Sequence, residues 1–308
     1  MSIPGRTEPA DTLDIGGTPG PEAPMVGPGV VEADTRRRRR SGRRFGAIPM
    51  IGLVIFAALL LVSILAPLLP LADPLAQSLD SRSSGPLSGH LFGTDLVGRD
   101  VLSRTIYGGR SAFAGIGIAA AVMLLIGIPW GLIAGFSGTV VDETLMRIAD
   151  ALLSFPSLVL AIGVVSVLGP SMENGMVTVG VICSPVIARL LRAAVLPLRD
   201  AQFVQVAGSL GVTRTRVALR HVLPNAMAPV LVQTFALGAQ FLIVQAALGF
   251  LGLGSPPPAP SWGQDMADAY MNFTSEPFAT IVPGLAITLG AWSISAIGDG
   301  LRDVLVRS

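Results

Sequence analysis

Long apolar runs alternate with short polar segments along most of this chain. Several runs reach about 20 residues, which is enough for a helix to cross a hydrocarbon core of about 30 Å. The pattern predicts an all-α, polytopic membrane protein with six transmembrane helices within residues 47–308. The predicted spans cover residues 47–71, 111–136, 148–168, 174–196, 225–250 and 279–297.

The chain ahead of the first apolar run has a different composition. Residues 1–35 are rich in proline and glycine and show no periodicity, which predicts a disordered cytosolic tail. Residues 36–46 carry seven arginines and form a basic juxtamembrane segment. A cleaved signal peptide is the competing interpretation, but the apolar run is too long for one and lies behind too long a tail. The membrane flank accounts for these arginines, so we expect no nucleic-acid partner.

The composition excludes several classes of function. Hydrophobic residues make up 51% of the chain and charged residues only 13%, against roughly 25% charged in soluble domains. All 21 basic residues are arginine, whereas a standard phosphate-binding loop needs a lysine, so the chain lacks that kind of ATP site. Cys183 is the only cysteine, and His90 and His221 lack metal-ligand spacing. We therefore expect no catalytic, metal or cofactor site in this chain.

The distribution of arginines predicts the orientation in the membrane. With the amino terminus in the cytosol, the predicted cytosolic segments hold 14 arginines and the outer segments hold four. Basic residues favour the cytoplasmic side, so we expect both termini in the cytosol of a bacterial inner membrane. This orientation also places the segment between the fourth and fifth predicted spans in the cytosol.

That segment, Asp200–Pro224, is patterned as two short helices. Asp200 can cap a helix start and Gly211 suits a left-handed helix end, while Pro224 is expected to close a second helix that begins near Thr213. Small or apolar residues form one predicted ridge of the first helix, and polar residues line another face. The ridge comprises Ala201, Val204, Ala207, Gly208 and Gly211, and the polar face comprises Gln202, Gln205 and Ser209. On spacing alone, an ordinary amphipathic connector fits equally well.

The residue identities resolve this choice. Gln205-Val206-Ala207, followed by Gly211 and then Val222-Leu223-Pro224, resembles the EAA signature of ABC importer permeases. In that family the signature forms a cytosolic coupling helix in a groove of the ATP-hydrolysing subunit. Gln205 and Val206 depart from the usual glutamate and alanine, so the ion pair of that glutamate is not implied here. The resemblance implies ATPase contacts by Gln202, Gln205, Ala207, Gly208, Gly211, Val212 and Thr213. We refer to residues 200–224 as the coupling segment.

Two further stretches resemble the dipeptide and oligopeptide branch of these permeases. They are Gly93-Thr94-Asp95 with Gly98-Arg99-Asp100, and Leu251-Gly252-Leu253-Gly254 with Pro260-Ser261-Trp262-Gly263. The resemblance places the second stretch at the outer mouth of the pathway, where Pro260, Ser261 and Trp262 are candidates for contact with a binding protein. An interfacial loop anchored by Trp262 is the alternative. In the first stretch, we expect Asp95 and Asp100 to form hydrogen-bonded turns.

Polar residues inside the predicted spans are few. Gln233 and Gln240 share one helical face, and either bond to neighbouring helices or line a polar translocation cavity. Asp150 is expected to face protein or headgroups, and Pro156 to kink its span. Arg189 and Arg192 are expected to snorkel to the cytosolic interface.

The resemblance implies a permease subunit of an ABC importer for dipeptides or oligopeptides. The implied partners are a similar second permease in a heterodimer, two ATPases that bind ATP and Mg²⁺, a substrate-binding protein outside, and membrane lipid. Nickel, haem or glutathione cargo remains open within the family. A secondary transporter is the rival from another class, but no clear inverted repeat supports it, and a membrane scaffold leaves the coupling segment without a use.

Overall fold

A computed structural model describes residues 46–86, 89–209, 211–274 and 276–305 of the chain. The predicted tail at 1–35 lies outside the described residues, as does the predicted basic segment apart from its last residue. Within the described ranges the regular structure is helical, as the all-α prediction requires.

Ten α-helices form the described part of the fold. They are α1 (Ala47–Ile64), α2 (Val101–Phe136), α3 (Thr139–Leu153), α4 (Ser157–Leu168), α5 (Met172–Arg199), α6 (Gln202–Ser209), α7 (Arg214–Val217), α8 (Leu223–Phe250), α9 (Trp262–Tyr270) and α10 (Pro277–Leu305). Five helices are long and apolar enough to cross a membrane when α7 and α8 count as one, and the bent pair α3–α4 gives a sixth if it is one span.

Several helix ends differ from the predicted span ends. The first helix stops at Ile64, not residue 71, and a 3₁₀ turn with Pro67 in its first positions follows it. The second begins at Val101, not residue 111, because Asp100 caps it: the Ser103 backbone N–H donates to Asp100 Oδ2 at 2.7 Å. The last helix continues to Leu305, beyond the predicted end at 297.

The third predicted span is broken rather than continuous. Instead of one helix over 148–168, α3 starts at Thr139 and the chain bends by 84° between Leu153 and Ser157 before α4. Pro156 stands directly before α4, where it has no N–H to continue the α3 hydrogen-bond ladder. The predicted effect of Pro156 is confirmed, but the result is two helices that point in different directions.

The centre of the bundle is the close packing of α2 against α5. A Cβ added at Gly127 would lie 2.7 Å from Ser184 O, and one at Gly131 would lie 2.6 Å from Ala188 O. Such distances are too short for any side chain, so these glycines allow the two backbones to approach. Cys183 is buried in the same core. The largest fully buried side chains around this contact include Met123, Met176, Ile187 and Leu191.

Pro224 does not end a helix, contrary to the prediction. A π-helical turn at Ala218–Val222 joins α7 to α8, and the helical path runs on to Phe250. The Leu223 N–H reaches back five residues to Ala218 O, immediately before the proline that lacks an N–H. Asn225 Nδ2 donates to His221 O at 2.7 Å, which satisfies a carbonyl beside the proline.

Candidate functional site

The coupling segment lies at the end of the bundle where α5 stops and α8 begins. Asp200 ends α5 instead of capping α6, and a link of only two residues, Asp200 and Ala201, separates these helices. Gln205 Nε2 donates to the Asp200 carbonyl at 3.1 Å and braces the corner between them. The corner between α5 and α6 is therefore short and hydrogen-bonded.

The two sides of the coupling segment have different surroundings. Val204 and Val212 pack against the central core, whereas Gln202 and Gln205 are exposed. Val206 is 57% exposed. The predicted ridge therefore does not form a single outward face, because Val204 points inward. Ala207 and Gly208 belong to α6.

The bend after α6 has the geometry predicted for its glycine. Gly211 has a φ of +78°, a left-handed conformation that glycine adopts without steric cost. Thr213, exposed, stands directly before α7. An open groove of about 480 Å³ lies beneath the bend, between the coupling segment and the α2–α3 corner. Its lining includes Phe136, Gly138, Asp200, Val204, Val212 and Arg214.

Three arginines on the last part of α5 bind residues of α3 or of the end of α2. Arg192 binds both carboxylate oxygens of Asp142, with Nη2 2.5 Å from Oδ2, and Arg189 pairs with Asp150. Sequence reasoning expected Arg189 and Arg192 to snorkel, and it missed both partners because these lie on another helix. Arg199 Nη1 donates to Gly135 O, 3.2 Å away at the carboxyl end of α2.

The opposite end of the bundle is held together by turns and ion pairs. Asp95 Oδ1 accepts from the backbone N–H groups of Val97 and Arg99 at 3.0 and 2.9 Å, and Arg99 Nε lies 2.6 Å from Asp95 Oδ2. The predicted hydrogen-bonded turns at Asp95 and Asp100 are confirmed, with Asp100 acting as the α2 cap.

Arg104 ties three segments of this end together. Its guanidinium binds Asp265 on α9 and donates to Pro74 O at 3.1 Å and to Pro258 O at 3.3 Å. Arg104 itself is 4% exposed. Burial raises the pKa of Asp265, and the positive charges of Arg104 and Arg99 oppose that rise. The guanidinium is thus the structural counter-ion of a buried carboxylate.

The predicted outer-mouth residues are mostly inside the fold. Trp262 is 4% exposed and its Nε1 donates to Thr105 O at 2.6 Å, so it anchors α9 on α2 and presents no surface for a binding protein or the membrane interface. Ser261 is also buried, at 8% exposed, while Pro260 is half-buried. The burial follows from Gly108 and Gly109, which leave room for the indole ring.

The two predicted pathway glutamines both lie on α8. Gln233 is half-buried and Gln240 is exposed, and neither amide has a hydrogen-bond partner within the residues that the structure describes. A third glutamine, Gln245, bonds between helices through Nε2, which donates to Ser111 O at 2.9 Å. Sequence reasoning missed it, although an amide inside an apolar run was a usable signal.

Comparisons with known proteins identify relatives over most of the chain. Residues 127–308 match the family model described as "Binding-protein-dependent transport system inner membrane component". The dipeptide transport system permease protein DppC of Alkalihalophilus pseudofirmus is 35% identical, covering 94% of this chain and 95% of that protein. The oligopeptide transport system permease protein OppC of Bacillus subtilis is 36% identical, covering 85% of this chain and 86% of that protein.

Two other similarities bear on cargo and fold. The glutathione transport system permease protein GsiD of Pectobacterium atrosepticum is 37% identical, covering 73% of this chain and 75% of that protein. Among solved structures, an inward-facing conformation of the MetNI methionine ABC transporter is similar with a TM-score of 0.50 and 19% identity. It covers 66% of this chain and 96% of the other chain, and it supports the fold.

Proposed function

Because this chain belongs to the family of binding-protein-dependent transport system inner membrane components, we propose that it is the permease subunit of an ATP-driven importer of dipeptides or oligopeptides. It is a multi-pass inner membrane protein of a family of transport components, not enzymes, and ATP hydrolysis belongs to separate subunits. The similarity to dipeptide and oligopeptide permeases over most of both chains supports the cargo class.

The exposed side of the coupling segment is the observation that carries the proposal. Gln202, Gln205 and Val206 are exposed on a helix that joins two long bundle helices. This helix, which includes Ala207 and Gly208, docks on an ATPase together with Gly211 and Thr213 of the following bend, whereas Val212 packs inward against the core and supports that surface. ATP and Mg²⁺ are bound by the ATPases, since this chain has no lysine for a standard phosphate-binding loop.

A second, similar permease subunit completes the translocation pathway. The amides of Gln233 and Gln240 lack partners in the described part of the chain, and an amide facing lipid alone is unfavourable. They line the pathway at the contact between the two permeases. Of the three outer-mouth candidates, Pro260 alone is half-buried, while Ser261 and Trp262 are buried. Both termini lie in the cytosol, in keeping with the bias in arginine positions.

Closure of the ATPases on ATP moves the coupling helix and switches the bundle from inward-facing to outward-facing. Hydrolysis resets it. The substrate-binding protein delivers cargo to a pathway with few ionisable groups, so selection rests largely with that protein. Glutathione, itself a small peptide, is the second candidate cargo because of the similarity to the glutathione permease.

Purification of the chain from its native membrane in mild detergent tests the assembly. We expect ATPases, a second permease and a peptide-type binding protein to co-purify. Val206→Asp places a charge on the exposed coupling surface and should release the ATPases, while Leu91→Asp, at a site 71% exposed on the other end, should retain them. Recovery of the chain alone, with uptake into proteoliposomes in the absence of ATP, would refute the ATP-driven importer and indicate a secondary transporter.

A further inference from the structure

The arginines at the end of α5 all reach one neighbouring stretch of chain. Arg192 binds the Asp142 carboxylate through two nitrogens, Arg189 pairs with Asp150, and Arg199 donates to Gly135 O. These contacts extend from the end of α2 along the length of α3. The helix that leads into the coupling helix is therefore attached to α3 at two points and to the end of α2 at a third.

The three attachments differ in strength. The side chains of Arg192 and Asp142 are 31% and 15% exposed, and a bidentate pair fixes both distance and orientation. Arg189 and Asp150 are 43% and 63% exposed, where solvent screening leaves an ion pair weak. The contact between Arg192 and Asp142 is thus the principal one.

Within the described part of the chain, buried side chains contribute little to holding α3 in place. Ala149 is its one fully buried residue, so only a small part of the surface of this helix packs in the interior. Its far end is also separated from α4 by the 84° bend, which leaves α3 able to change direction independently of α4. The side-chain contacts that fix the orientation of α3 therefore come largely from α5.

We infer that α3, α5 and the coupling helix α6 move as one body, and that Arg192 and Asp142 are the positioning pair that carries ATPase-driven motion to α3. This inference rests on the proposed function, because it requires an ATPase at the coupling helix. Loss of the pair should leave ATP hydrolysis running while α3 no longer follows α5. The amount of substrate imported per ATP hydrolysed then falls about tenfold, within the usual range of coupling between sites.

The test uses the complete importer, with its ATPases, partner permease and binding protein, reconstituted into proteoliposomes. Asp142→Asn and Arg192→Gln should each retain the ATPases and hydrolyse ATP but import about tenfold less substrate per ATP. The double variant Asp142→Arg with Arg192→Asp should recover most of the loss. Arg147 is an exposed arginine on α3, the helix that carries Asp142. Arg147→Gln is therefore the matched control and should behave as wild type.

Three results overturn the inference: single variants with wild-type import per ATP, a swapped variant no better than the single variants, or an equal loss in Arg147→Gln. Should the single variants fail to assemble, Arg192→Lys keeps the charge without the bidentate contact. A partial loss of import per ATP in Arg192→Lys supports the inference, and an unchanged ratio overturns it. Failure of wild-type protein to retain ATPases would instead refute the proposed function.

Discussion

Replacement of Trp262 by alanine should be among the most destabilising single changes at the end of the bundle opposite the coupling segment. The indole is 4% exposed, stands edge-on to Phe113 with ring centres 5.9 Å apart, and fills the space above Gly108 and Gly109. It also connects α9 to α2 through the hydrogen bond to Thr105 O. Trp262→Ala removes the packing and the hydrogen bond together.

The magnitude can be divided between these two effects. Loss of a buried tryptophan side chain costs about 3–5 kcal/mol because the surrounding structure closes the cavity only in part. Trp262→Phe keeps most of the packing but removes the donor to Thr105 O, which costs about 1–2 kcal/mol. Trp292 is 42% exposed, so Trp292→Ala should cost less than about 1 kcal/mol.

The free energy of unfolding is measured by titration with sodium dodecyl sulfate in mixed micelles, with far-ultraviolet circular dichroism as the probe. We expect the order Trp262→Ala, then Trp262→Phe, then Trp292→Ala, from most to least destabilised. Equal stability of Trp262→Ala and Trp292→Ala would show that the burial of Trp262 does not hold α9 in place.

Two further predictions concern backbone contact and charge. Gly131→Leu should separate α2 from α5 and lower the free energy of unfolding by about 3 kcal/mol or more. Gly163 has open space around it, so Gly163→Leu should change the free energy of unfolding by less than about 1 kcal/mol. Comparable losses in the two variants would contradict the close contact between α2 and α5. Arg104→Gln should leave Asp265 without its counter-ion and speed amide hydrogen exchange in α9. Arg110→Gln, at an exposed site, is the control. Exchange in Arg104→Gln no faster than in this control would contradict a stabilising role for the ion pair between Arg104 and Asp265.

The existence of the membrane helices could be read from the length of the apolar runs, but their ends could not. The start of α2 illustrates the difficulty, because residues 101–110 include Arg104 and look like a polar loop. Arg104 lies in the helix because Asp265, 161 positions away in the chain, neutralises it. A hydropathy pattern contains no information about such a distant partner.

In the candidate site, too, locally determined features could be predicted from the sequence, whereas features that depend on tertiary contacts could not. The left-handed Gly211 and the exposure of Gln202 followed from local patterns, since turn chemistry and amphipathicity act over a few residues. The inward direction of Val204 and the burial of Trp262 depend on which helix lies opposite, and that is decided by tertiary packing. The pairing of Arg192 with Asp142, 50 positions away, depends on it in the same way.

The burial of Cys183 has a practical consequence for spectroscopy. It is the only thiol of the chain and is 8% exposed, and a buried thiol reacts slowly with maleimides and methanethiosulfonates. Cysteines introduced on α3 and α6 can therefore accept spin labels or fluorophores selectively while the native residue stays in place. The native cysteine does not have to be removed before labelling. Distances between these helices can therefore be followed through the transport cycle without altering the core.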